Sequence, residues 1–195
     1  DRMTLALYGK SKRRQGGLIL AGLLAIAIAL VAGFGTLQRQ SASAALATLD
    51  SSTFDGSGDS VGSGWSETSG TSSPNGQNAN RVSGYVRLTH GGSAIWKTIS
   101  TLEHTGISVE FACRGVAANN AGDALAVDYS LNGSTWVQAA SFTTNTTSTA
   151  ECPNNAFATK TVTFPAGADN NTNFAVRFRS INHNLTGEEV RIDDI

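Results

Sequence analysis

The sequence predicts an all-β fold, an antiparallel β-sandwich or jelly roll, preceded by a single N-terminal transmembrane helix. Three observations carry this. Apolar and polar residues alternate in short runs throughout the second half, residues 16–37 contain no charged side chain, and 21 glycines in 195 residues supply turns. Charged residues make up only 15% of the chain, against about 25% in an ordinary globular protein, which excludes a coiled coil or a polyelectrolyte tail.

Residues 1–40 carry six basic and one acidic side chain; residues 41–195 carry eight basic and fourteen acidic. Lys10, Lys12, Arg13 and Arg14 directly precede the apolar run. About 20 such residues span a hydrocarbon core of about 30 Å. The positive-inside rule assigns 1–15 to the cytoplasm, 16–37 to an uncleaved signal anchor and the rest to the outside. The rival is a signal peptide cleaved near Ala42, Ser43 and Ala44, which would make the remainder secreted. Both readings export the rest. The acidic exported part has no attraction for nucleic acid.

Residues 38–52 read as a Ser/Ala/Gly linker and 53–195 as the sandwich, because turn formers dominate 41–79 and alternation begins after Val82. Strands are expected at 84–89, 93–99, 106–112, 123–130, 135–141, 159–164, 173–179 and 188–194. Ile107, Val109 and Phe111 share one face, and Phe174, Val176 and Phe178 oppose Ala175, Arg177 and Arg179. Between Tyr129 and Trp136, the pair Asn132-Gly133 predicts a type I′ hairpin, which needs positive φ at both residues.

Cys113 and Cys152 are the only cysteines, both on the exported side, where a disulfide persists. Closing a loop of about 40 residues would stabilise the fold by about 4 kcal/mol on the chain-entropy model. Asn132, Asn145, Asn170 and Asn184 open Asn-X-Ser/Thr triplets, acceptors only in a glycosylating host.

Several segments, TFDGSGDSVGSGW, GDALAVDYSLNGSTW, FAVRFRS and EEVRIDDI, occur in an order that resembles the MAM-like and concanavalin-like jelly-roll modules of extracellular proteins. The resemblance covers about 52–195. It implies non-catalytic recognition or adhesion at the cell surface, toward a glycan or protein ligand, or else a spacer role. It departs from MAM domains proper in having two cysteines where four are usual. The closing RIDDI, where such modules commonly continue, suggests an N-terminal piece of a longer surface protein or exported hydrolase.

In related jelly rolls an acid of the opening strand and an aspartate of the closing strand often meet at a structural calcium. The matching positions are Asp55 and Asp193, with Asp194 as alternate because strand neighbours point to opposite faces. A glucanase would need two facing carboxylates, but the face shared by Glu189, Arg191 and Asp193 places an arginine where such a motif wants an acid. His90, His104 and His183 are far apart and form no recognisable catalytic motif, so no catalytic residue is assigned. Tyr85, Trp96 and Trp136 are the candidate ligand-stacking residues. Trp96 shares parity with Ala94 and Thr98, opposite Ile95 and Ile99, which turns it outward.

Overall fold

Alternation of side-chain character does what it should: each of the eight expected strands forms, and apolar residues such as Val86, Leu88, Phe111, Val176 and Phe178 face inward. The strands are β3 (Tyr85–Thr89), β4 (Ala94–Thr98), β5 (Ser108–Val116), β6 (Ala124–Ser130), β7 (Val137–Thr143), β8 (Ala158–Thr163), β9 (Ala175–Ile181) and β10 (Glu189–Asp193). Two further strands, β1 (Ser66–Glu67) and β2 (Asn78–Val82), lie in or beside the stretch whose turn-rich composition suggested a linker. They are short edge strands with little apolar alternation, and they form by pairing with β4 and β3.

The computed structural model describes residues 47–55, 61–62, 64–68, 78–82, 84–145 and 149–195. The expected cytoplasmic segment and anchor, and all of the linker before residue 47, lie outside these residues. Among the described residues no helix is long and apolar enough to cross a membrane. Thr48–Ile195 forms one compact unit.

All described strand pairs are antiparallel and make two five-stranded sheets, in the orders β1-β4-β9-β6-β7 and β2-β3-β10-β5-β8. Their inner faces meet over Phe111, Phe178, Leu88, Ile95, Leu125 and Ile192, all fully buried. Phe111 and Phe178 come from opposite sheets and pack edge to face with centroids 4.9 Å apart. Each side chain of this size contributes about 1.5–3 kcal/mol on burial. Trp65 also lies in the core, its Nε1 donating to Ser52 Oγ at 3.0 Å. The end of the expected linker is therefore built into the sandwich: Ser52 pairs through its backbone with Ile195 in both directions, and Asp50 meets Lys97 at 2.6 Å.

Cys113 and Cys152 are joined by a disulfide, and both are fully buried. The bond fixes the segment after β7 against β5. Gly115, two residues on, makes the approach possible, because a Cβ there would lie 2.2 Å from the Thr144 carbonyl oxygen. The β6–β7 connection departs from the expected type I′ hairpin. Only Gly133 has positive φ, the loop runs from Leu131 to Trp136, and Asn132 Oδ1 accepts from the backbone N–H groups of Ser134 and Thr135 at 3.0 and 2.8 Å. The asparagine closes the turn with its side chain, an Asx turn, which relieves it of the left-handed backbone.

Candidate functional site

On the outer face of the β1-β4-β9-β6-β7 sheet, register builds a row across four strands. Trp96 of β4 lies opposite Arg177 of β9, Arg177 opposite Asp128 of β6, and Asp128 opposite Gln138 of β7. In the adjacent row Ala94 lies opposite Arg179, and Arg179 opposite Ala126. The small alanines keep that floor low. Trp136, on the β6–β7 loop, brings its ring over Arg177, 4.4 Å from the guanidinium carbon. The result is an open cleft of ≈ 190 Å³ lined by Thr68, Ala94, Trp96, Trp136, Arg177 and Arg179.

Asp128 organises this face. Its side chain is 2% exposed and is met by Arg177 Nε at 2.8 Å, Arg177 Nη2 at 2.7 Å and Arg179 Nε at 3.0 Å. Both arginines remain partly exposed, so they are held flat while still offering N–H groups to the cleft. Chemically the site presents two half-buried indoles and two oriented guanidinium groups. Indole faces stack on apolar C–H surfaces, and guanidinium N–H groups donate to hydroxyl oxygens.

Of the three expected stacking residues, the structure brings Trp96 and Trp136 to one cleft and places Tyr85 elsewhere. Tyr85 stands on the outer face of the other sheet, beneath the Arg191 guanidinium at 4.7 Å. Period-two parity cannot tell which of two sheets a strand joins. Asp128 was not singled out from the sequence. Its signal was an acid inside the otherwise small and apolar β6, at the parity of Ala124, Ala126 and Ser130.

The Ser52–Ile195 pairing brings the first and last segments of the sandwich together, so Asp55 and Asp193 come within electrostatic reach. Asp193 is pushed above the ordinary carboxylate range by burial, and the neighbouring Asp194 and Asp55 charges add to this, against a lowering hydrogen bond from the Asp194 N–H. Among the described residues no group of three or more His, Cys, Asp or Glu side chains could hold a metal ion. Glu189, the other acid of this strand, is held by Arg191 at 2.6 Å and by Arg87 at 3.5 Å.

A second buried polar cluster surrounds His183, one of the three histidines noted in the sequence. His183 is fully buried between the Ser180 and Thr144 hydroxyls, at 2.8 and 3.0 Å, and burial pushes its pKa below the usual imidazole value. Asp123 beside it is raised by burial. Glu188 accepts from the Asn119 and Leu185 N–H groups and from the Asn120 amide. These residues tie the loops at the ends of β5, β7 and β9 together.

No family model and no curated protein matches the chain. Among solved structures it is similar to the K3 cleaved adhesin domain of Lys-gingipain from Porphyromonas gingivalis W83, at 16% identity and a TM-score of 0.52, covering 76% of this chain and 97% of that one. The K1 cleaved adhesin domain of the same protein gives 15% identity and a TM-score of 0.46, covering 76% and 96%. The CBM22-1 xylan-binding domain of Paenibacillus barcinonensis Xyn10C gives 11% and 0.44, covering 75% and 90%. The likeness to the K3 domain shows the fold, an antiparallel β-sandwich.

Proposed function

We propose that the sandwich is a non-catalytic recognition module that binds a neutral glycan chain in the cleft between Trp96 and Trp136. The observation that carries the reading is the pairing of two half-buried indoles with arginines pinned by a buried aspartate on one solvent-facing sheet. Sugar rings offer what this surface takes: apolar C–H faces for the indoles and hydroxyl oxygens for Arg177 and Arg179. The engagement of Glu189 by two arginines supports the non-catalytic reading, because it removes one of the two carboxylates that glycoside hydrolysis would need at that strand. The order β3-β10-β5-β8 against β4-β9-β6-β7 supports a jelly roll of the MAM-like or concanavalin-like kind.

The apolar run at 16–37 supports display of this module on the outer face of a membrane, as a single-pass surface protein. We propose calcium at the Asp55–Asp193 corner, with Asp194 as alternate, on the ground that the Ser52–Ile195 pairing joins the two segments that carry these acids; calcium takes six to eight oxygen ligands, so further oxygens would have to join them. A thermal melt of the full chain with calcium and with chelator tests it: a calcium-dependent rise supports the site, and superimposable melts remove it.

The glycan reading is tested by titrating neutral β-linked oligosaccharides into the full chain in neutral detergent, following indole fluorescence and heat. Saturable binding that weakens about five- to thirtyfold in both Trp96→Ala and Trp136→Ala is expected, since a stacked ring is worth on the order of 1–2 kcal/mol. Binding that survives both substitutions would place the ligand elsewhere, and absence of binding across a broad glycan panel would leave the spacer reading in its place.

A further inference from the structure

The outer face of the β2-β3-β10-β5-β8 sheet carries a different pattern. Arg191 of β10 lies opposite Arg87 of β3 on one side and opposite Arg114 of β5 on the other. Three guanidinium side chains thus occupy one register position on three adjacent strands, which are about 4.8 Å apart. Like charges directly opposed on a sheet face are destabilising. Among the described residues one carboxylate, Glu189, lies within 4 Å of the row, and it serves the Arg87–Arg191 side: Arg191 Nε and Nη2 approach Oε1 at 2.6 and 2.5 Å, and Arg87 Nε approaches Oε2 at 3.5 Å. On the other side, Arg114 Nε donates to the Asn154 carbonyl at 2.9 Å and has no carboxylate partner among the described residues. The remaining acids of this face stand off along the strands. Asp193 is two residues from Arg191, about 7 Å, and Glu110 is four residues from Arg114, about 13 Å.

Two aromatic rings flank the row. Tyr85 lies under Arg191, and its ring centroid is 6.2 Å from that of Phe157, which is 39% exposed. We propose that this row is a second binding site, on the sheet opposite the tryptophan cleft, for a carboxylate-bearing glycan of the uronate class. A ligand carboxylate would enter between Arg191 and Arg114 and make there the fork-to-carboxylate contacts that Glu189 already makes with Arg191. The sugar ring bearing it would lie against the exposed ring of Phe157. Charge density selects this class over other anions. The acidic excess of residues 41–195 opposes a dense polyanion such as a nucleic acid or an anionic bilayer, whereas a uronate chain presents a single carboxylate per sugar.

The test is calorimetric titration of the full chain in neutral detergent at low salt, with oligogalacturonate as probe and a glutamate-rich peptide and a heparin-derived sulfated oligosaccharide as comparisons. Saturable oligogalacturonate binding is expected, weakened about tenfold in Arg114→Gln, the effect of losing one charge-assisted contact. It should be unchanged in Trp96→Ala, which separates this site from the cleft. Absence of binding at low salt would overturn the proposal, as would binding insensitive to Arg114→Gln or lost in Trp96→Ala. Equal or tighter binding of the peptide or the sulfated chain would overturn the uronate assignment.

Discussion

Replacing Asp128 with asparagine is the sharpest perturbation of the tryptophan cleft, because it preserves shape and removes the charge that pins two arginines. Removing one partner of a fully buried ion pair costs about 3–5 kcal/mol, since a charge is stranded away from water. Here the carboxylate side chain is 2% exposed, but its partners are 22% and 30% exposed and can turn toward solvent. The expected loss therefore lies between the buried figure and the 0–1 kcal/mol of a surface pair, at about 2 kcal/mol. For a unit of this size that lowers the melting temperature by about 4–8 °C. Urea unfolding followed by tryptophan fluorescence should show the midpoint falling with an unchanged slope, so that native compactness is kept. A cycle with Arg177→Gln should return a coupling energy of about 1 kcal/mol or more, and Asp128→Asn should weaken glycan binding with it. A midpoint within error of the parent, or a coupling near zero, would refute the claim that Asp128 organises this face.

Other consequences follow from the same structure. Gly115→Ala should destabilise by about 3 kcal/mol or more, because its methyl group would have to displace the Thr144 backbone beside a disulfide; full stability with an unmoved loop, read by calorimetry, would contradict the close approach. Burial holds the Asp193 pKa above its unfolded value, so its ionisation opposes folding at neutral pH, and that opposition is relieved as pH falls through the raised folded pKa toward 3.8. Asp193→Asn should accordingly raise the melting temperature at pH 7 and remove this acid-side gain. His183 behaves in the opposite sense: its folded pKa is depressed below 6.5, so the unfolded chain takes up a proton first and stability is lost as pH falls below about 6.5. His183→Gln should flatten that slope in melts between pH 7 and 5, and an unchanged slope would show that the imidazole is not held neutral.

Most of the eight principal strands were legible because apolar residues recur at period two on the inward face, as in Phe174, Val176 and Phe178, whereas β4 and β8 carry Lys97 and Lys160 on that parity. β1 and β2 were not, since they are stabilised by partners and not by their own patterning: Ser66 and Glu67 find their places opposite Trp96 and Ile95. The outward aim of Trp96 followed from parity alone. That Trp136 would join it, and that Tyr85 would not, depended on sheet order, a long-range property that no local window contains. The Asn132-Gly133 turn was found in the right place with the wrong backbone, because an asparagine side chain can close a turn as effectively as a left-handed backbone.

The two outer faces share one construction and diverge in one respect. Each sheet carries a buried acid among its outward side chains, Asp128 at 1% and Glu189 at 7% exposure, and pairs it with two arginines: Arg177 and Arg179 on one face, Arg191 and, more distantly, Arg87 on the other. Holding a guanidinium in place before a ligand arrives spares part of the side-chain entropy that binding would otherwise cost. On the first face the flanking groups are two indoles, so the surplus surface is apolar and a neutral chain fits. On the second the next residue in register is Arg114, so the surplus is charge. Salt should tell the two apart in one preparation: association at the tryptophan cleft should be nearly indifferent to ionic strength, while association at the arginine row should fade as the screening length shrinks from about 30 Å at 0.01 M to about 8 Å at 0.15 M. Parallel salt responses at both faces would mean that the shared carboxylate–arginine framework, and not the residues flanking it, sets what each face binds.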